Sequence, residues 1–180
     1  FVSNLDQTFP TARGTAPGNG SLVAAVQRAT GAEPVAVAGK PEQGLFEEAR
    51  RRTGASRPLM VGDRIDTDIV GARTCGIDAL HVLTGISGLD EVVQLAPECR
   101  PHFVAPDLRS LLQAHPDVRV EGARTQCGTA VASADANGEV LLLAGEPGSL
   151  EAVRAVVAAG WTHLDETGHA PQLVGPALGD

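Results

Sequence analysis

Between residues 34 and 114 the chain alternates short runs that are apolar throughout with longer stretches whose apolar residues recur at helical spacing. Pro34-Val35-Ala36-Val37-Ala38 has strand length and stops at Gly39-Lys40-Pro41. Pro41 suits a first helical turn, and Leu45, Phe46 and Ala49 follow on one helical face up to Gly54. Pro58-Leu59-Met60-Val61 predicts a second strand ending in Gly62-Asp63. Ile65, Ile69, Val70 and Ala72 then mark the apolar side of a helix that stops at Gly76. Residues 79–83 predict a third strand, and Leu89, Val92, Val93 and Leu95 the next helix. A short strand at 102–104 and a last helix with Leu108, Leu111 and Leu112 complete the series. Strands apolar on both faces, alternating with helices, imply a parallel sheet covered on both sides. The fold class is α/β.

The flanks read differently. Phe1-Val2-Ser3 reads as a short strand running into the turn-rich Thr8-Phe9-Pro10-Thr11, and Asn19 or Ser21 caps a helix through Leu22, Val23, Val26 and Ala29. Beyond Pro116, residues 127–134 and 139–144 are β-rich around Asp135-Ala136-Asn137-Gly138, where Asn-Gly is a hairpin signal. Ser149 caps a helix with Leu150, Val153, Val156 and Val157 inward, running towards Trp161. The last dozen residues, rich in Gly and Pro, are expected to be loosely ordered. Residues 117–180 thus read as a small α+β extension, too short to be very stable unless it docks.

Composition removes several functions. A net charge of −8 disfavours phosphate-backbone binding to nucleic acid, and Arg50-Arg51-Arg52, beside Glu47 and Glu48, reads as a solvated helix end. No stretch approaches the roughly 20 apolar residues that span a bilayer, and no secretory signal is present. Cys75, Cys99 and Cys127 are scattered and form no CxxC pair, which suggests reduced thiols in a cytoplasmic protein. The five histidines lack the spacing of a zinc site. Among fourteen basic residues Lys40 is the single lysine; composition alone can leave one by chance, but a compact ammonium also differs chemically from a guanidinium.

Candidate chemistry gathers at two strand ends, where open parallel sheets collect ligands. One is Ala38-Gly39-Lys40-Pro41, the other Val61-Gly62-Asp63-Arg64-Ile65-Asp66-Thr67-Asp68. With strands side by side and a right-handed crossover, Lys40 and Asp63 emerge on the same edge. An ammonium and two carboxylates would then converge, the equipment for holding a metal ion and a phosphate. Read more plainly, Asp66, Thr67 and Asp68 are helix caps. That reading covers Gly62-Asp63 less well, because the glycine lets the chain turn while the carboxylate points outward.

Val37-Ala38-Gly39-Lys40-Pro41, followed by residues 60–69 (Met-Val-Gly-Asp-Arg-Ile-Asp-Thr-Asp-Ile), resembles the third and fourth motifs of the haloacid-dehalogenase (HAD) superfamily. More narrowly it resembles the branch with a large cap inserted before the lysine motif, the NagD or p-nitrophenylphosphatase type. Ser3-Asn4-Leu5-Asp6, Pro17-Gly18-Asn19-Gly20 and Thr84-Gly85-Ile86-Ser87 look like further parts of that branch. The resemblance covers residues 1–114. It implies a Rossmann-like core and magnesium-dependent hydrolysis of small phosphorylated metabolites through an aspartyl-phosphate. Lys40 would neutralise the nucleophile and phosphate oxygens, Asp63 would be a magnesium ligand, and Asp68 would hold the metal's water or Lys40. Arg64 and Thr67 would border the substrate, with Asn4 and Asp6 near the junction of cap and core.

In these terms residues 1–18 are the return from a cap, 19–116 the carboxyl-terminal part of a hydrolase core, and 117–180 the extension. Members with such an extension resemble glycerol-3-phosphate phosphatases. The family's Asp-x-Asp-Gly motif and its Ser or Thr strand tip would lie upstream of Phe1, so the chain alone is expected to be inactive. Ala132-Ser133-Ala134-Asp135-Ala136-Asn137-Gly138 only imitates the first motif and reads as a hairpin. The competing reading is a non-catalytic, receiver-like regulatory module, in which the lysine would follow the acidic strand ends instead of preceding them. Acyl-coenzyme A binding and self-association into a homo-oligomer are roles open to the extension, but it lacks a Gly-rich pyrophosphate loop and is expected to pack on the core.

Overall fold

The structure, a computed structural model, describes residues 1–175. At its centre lies a parallel sheet of β3 (Leu59–Gly62), β4 (Asp78–Val82) and β5 (Phe103–Ala105), in that order. Along β4 successive side chains face opposite sides, as strand geometry requires. Ala79 packs with Phe46, Ile69, Ala72 and Ile77, beneath α2 (Gln43–Thr53) and α3 (Val70–Thr74). Leu80 and Val82 face Val61, Ala105 and Leu150 on the other side. The expected α/β sheet, covered on both faces, is present.

Towards the amino terminus, β1 (Thr8–Thr11) and β2 (Gly14–Pro17) form an antiparallel hairpin where the sequence suggested only a turn. Its residues are nearly all exposed, so no hydrophobic alternation announces it. α1 (Asn19–Thr30) follows and ends at Gly31 in the left-handed conformation. Its start is tied to the preceding segment: Asn19 Nδ2 donates to the Asn4 carbonyl at 2.7 Å and Gly20 N–H to the Asp6 carbonyl at 2.8 Å.

The expected strand at 34–38 is largely absent. Only Val37 pairs, in parallel with Val2, through Val2 N–H to the Ala36 carbonyl and Ala38 N–H to the Val2 carbonyl. Pro34 has no N–H to offer and Val35 stands 82% exposed, so apolar content without a neighbour on either side does not make a ladder. The helix expected after Asp63 begins instead as a turn of π-helix, Ile65–Ile69, before α3. Leu108–Leu112 is 3₁₀ rather than α-helical, and Leu112 points into solvent.

The extension consists of β6 (Val118–Glu121), β7 (Arg124–Cys127), β8 (Ala130–Ala134), β9 (Glu139–Ala144), α5 (Leu150–Thr167) and β10 (Gln172–Leu173). β6 to β9 form an antiparallel meander, and β10 adds to β9 in parallel. The expected loose tail is therefore partly ordered, since Gln172 and Leu173 pair with Glu139 and Val140; residues 176–180 lie outside the described residues. Ser149 caps α5 by accepting from the Ala152 N–H. α5 covers one face of this sheet and also packs on α4 (Leu89–Val93). Trp161 Nε1 donates to the Val92 carbonyl at 2.8 Å, and Arg100 clamps Asp165 with two bonds of 2.7 Å. Val92, Val93 and Val104 join Cys127, Ala132, Val153 and Val156 in one apolar cluster, so the extension is docked by a shared core.

Candidate functional site

Lys40 leaves the segment paired with Val2, and the approach there is close. A Cβ on Gly39 would stand 2.0 Å from the Ser3 carbonyl oxygen, so only glycine fits beneath the lysine. The Lys40 ammonium forms an ion pair with Asp68 Oδ1. Asp68 is almost wholly buried while the lysine side chain is 39% exposed, so the ammonium reaches in from the surface.

The second oxygen of Asp68 is also engaged. Oδ2 accepts the backbone N–H groups of Asp63 and Arg64, each at 3.2 Å. These donors lie just before the π-helical turn Ile65–Ile69, so Asp68 folds back on the junction between β3 and that turn while holding Lys40. Gly62 makes the arrangement fit, because a Cβ there would lie 2.4 Å from Asp68 Cβ.

Asp63 is half-buried at the tip of β3. Its Oδ2 accepts the Ile86 N–H at 2.9 Å and its carbonyl accepts the Ser87 N–H at 2.9 Å, both from the loop after β4. A Cβ on Gly85 would fall 1.9 Å from Asp63 Oδ2, so this loop lies directly against the carboxylate. Oδ1 accepts no hydrogen bond among the described residues. That oxygen, beside the Lys40–Asp68 pair, is the one free for a cation or its water.

The remaining expected residues fall into place unevenly. Arg64 forms a two-bonded pair with Asp66, at 3.1 and 3.0 Å, and approaches Asp6 at 4.0 Å, joining the amino-terminal segment to the acidic loop. This pairing holds the Asp66 carboxyl below its ordinary value and pushes Arg64 up. Asp6 N–H donates to Asn4 Oδ1 at 3.2 Å, so Asn4 shapes the local turn. Thr67 is buried in the π-helical turn. No cluster of three or more His, Cys, Asp or Glu suited to a metal occurs among the described residues.

His81 and Ser87 were not among the residues expected to act. His81, on β4, is fully buried; its Nε2–H donates to the Ser87 carbonyl at 2.9 Å. Burial pushes its imidazole down from the ordinary value, against the Ser87 bond and the charges of Asp63, Glu91 and Asp68. The available signal was a lone histidine inside an otherwise apolar strand.

With this geometry in hand, known proteins supply context. Residues 37–111 match the family model described as HAD-hydrolase-like. That segment is similar to the HAD-like hydrolases. A D-glycerol 3-phosphate phosphatase of Mycobacterium tuberculosis is 43% identical over 163 residues, which is 89% of this chain and 46% of that protein. A crystal structure of a glycerol phosphate phosphatase from the same organism, in complex with magnesium, superposes with a TM-score of 0.66 at 38% identity, covering 96% of this chain and 50% of that one. A 4-nitrophenylphosphatase from Thermotoga maritima gives a TM-score of 0.55 at 30% identity, over 63% of this chain and 44% of its own. The chain thus spans about half the length of the relatives it matches. The mycobacterial match runs through HAD-like core and extension alike. Among the described residues, no helix is long and apolar enough to cross a membrane.

Proposed function

We propose that this chain supplies the lysine and acidic-loop half of a magnesium-dependent phosphatase acting on small phosphate monoesters of the glycerol 3-phosphate kind. The observation that carries the reading is the ion pair of Lys40 with Asp68, whose other oxygen accepts the Asp63 N–H at the tip of β3. In this role Asp63 Oδ1 binds magnesium, which would neutralise phosphate charge. Asp68 acts behind the metal site: it fixes the ammonium of Lys40 and the backbone beside Asp63. Lys40 stabilises negative charge on the phosphate as it passes to a carboxylate nucleophile. Arg64, Thr67, Asn4 and Asp6 border the substrate's approach, Thr67 from beneath the surface.

The sequence contains no Asp-x-Asp-Gly motif, so in this reading the nucleophile comes from outside these residues and the chain alone is inactive. Residues 1–18 then serve as the return from a cap, 19–116 as part of the hydrolase core, and 117–180 as a docked extension. The glycerol 3-phosphate assignment is supported by the mycobacterial relative, whose similarity includes the extension. The test is phosphate release from glycerol 3-phosphate by the full-length protein with magnesium, compared with its Asp63→Asn and Lys40→Ala variants. Near-normal turnover in both would refute the proposal.

A further inference from the structure

We infer that Ser87, anchored by His81, is a positioning residue that aims the Asp63 carboxylate; this rests on the proposed role of Asp63 as a cation ligand. Ser87 is 5% exposed and every polar group it has is engaged. Its N–H donates to the Asp63 carbonyl at 2.9 Å, and its Oγ accepts the Ile65 N–H at 3.4 Å. It therefore grips the backbone on both sides of Arg64, spanning the turn that carries Asp63. Its carbonyl accepts from His81 Nε2–H at 2.9 Å, which ties that grip to the middle of the sheet. The residue before it, Ile86, supplies the N–H that fixes Asp63 Oδ2. One short loop thus orients both the main chain and the side chain of Asp63 and leaves Oδ1 facing outward.

His81 supports the assignment in a second way. Its Nδ1 is buried without a partner, an arrangement that costs free energy and that an apolar residue at the same place would avoid. The one hydrogen bond its side chain makes is the one that holds Ser87. Histidine here is accounted for by that bond and by no other contact of its ring nitrogens. Residues that orient a metal ligand from behind alter affinity for the ion without touching it.

The test uses the isotopically labelled chain, with Mn²⁺ as a paramagnetic probe and thermal melting as a separate measure of folding. Mn²⁺ is expected to broaden the Asp63 and Ile86 amide signals. Ser87→Ala and His81→Leu should raise the Mn²⁺ concentration needed by about tenfold, with Ser87→Thr and His81→Gln restoring most of the loss. Broadening that survives Asp63→Asn would overturn the cation reading itself. Broadening that is lost in Asp63→Asn but unchanged in Ser87→Ala would overturn the positioning role alone. Hydrogen exchange gives a reading independent of any ion. Exchange at Ile86 N–H should accelerate in Ser87→Ala relative to the amides of β4, and equal protection in both proteins would also overturn the inference.

Discussion

Lys40 and Asp68 are 28 residues apart in sequence, yet the ammonium of one closes on the buried carboxylate of the other. The pair joins the short segment held by Val2 to the turn that follows β3. Its two members are unequal, because the lysine side chain is open to water and the aspartate is not. Replacing Lys40 with Met should strand Asp68 with only two backbone donors and destabilise the chain by about 1–3 kcal/mol, the exposure of Lys40 keeping it below the cost of a fully buried pair. Asp68→Asn should fall in the same range, since the Asp63 and Arg64 N–H groups also lose a charged acceptor. The double variant should lose less than the sum of the two, as expected when partners share one interaction. Urea unfolding of the four proteins measures this; strict additivity would show that the pair contributes little.

Gly85 separates orientation from stability. The glycine is exposed, but a Cβ on it would lie 1.9 Å from Asp63 Oδ2, so Gly85→Ala must displace either the loop or the carboxylate. Because the loop surface is solvated, the melting temperature should change little. Phosphate release by the full-length protein should fall by about a hundredfold, the scale associated with ångström-sized misplacement. Unchanged activity would mean that the Asp63 orientation seen here does not matter for turnover.

The parts of the site that were legible in the sequence are those fixed by short-range pattern. Gly62-Asp63 stands at the end of an apolar run that does form β3, and Lys40 at the end of another that makes only a single bridge. Asp68 could be read as satisfying free backbone N–H groups, and it accepts those of Asp63 and Arg64; that it simultaneously holds Lys40 depends on the relative placement of two segments. The loop after β4 was marked only by its resemblance, and its grip on Asp63 could not be read because those hydrogen bonds come from backbone N–H groups, which any residue carries. The failed strand at 34–38 has the same origin. An apolar run shows what a segment tends to do, whereas a ladder needs a neighbour, and here only Val2 serves. The β1–β2 hairpin is the converse case: four largely exposed pairs supply a partner without an alternating apolar signal.

His81 makes stability depend on pH in a definite direction. Its folded-state pKa lies below the unfolded one because burial disfavours the imidazolium. On acidification the unfolded chain takes up the proton first, so this contribution is complete above an unfolded pKa of about 6.5 and shrinks as pH falls below it towards the folded value. Urea midpoints should therefore drop between pH 7 and pH 5.5. In His81→Gln, which keeps a donor but cannot titrate, that part of the slope should disappear. A variant with the same slope as the parent would assign the effect to other groups.

The docking of the extension can be tested by the sign of one substitution. Gly160 lies within α5, where alanine is intrinsically favoured by about 1 kcal/mol. If the helix merely lay on its own sheet with that face open, Gly160→Ala would stabilise the chain. In the structure the new Cβ would sit 2.9 Å from Val93 Cβ and 3.2 Å from its Cγ1, and Val93 is itself fully buried on α4. Val93 cannot swing into solvent, so the helices must separate, an overpacking that costs about 1–3 kcal/mol. The net effect should be destabilising and should be felt at Trp161, the only tryptophan, whose ring nitrogen binds the Val92 carbonyl next door while Arg100 lies over its ring at 5.0 Å. Urea unfolding followed by Trp161 fluorescence and by circular dichroism should shift together to lower urea. A stabilised variant would mean that α5 does not press against α4 in solution, and the shared core of Val92, Val93, Val153 and Val156 would have to be given up with it.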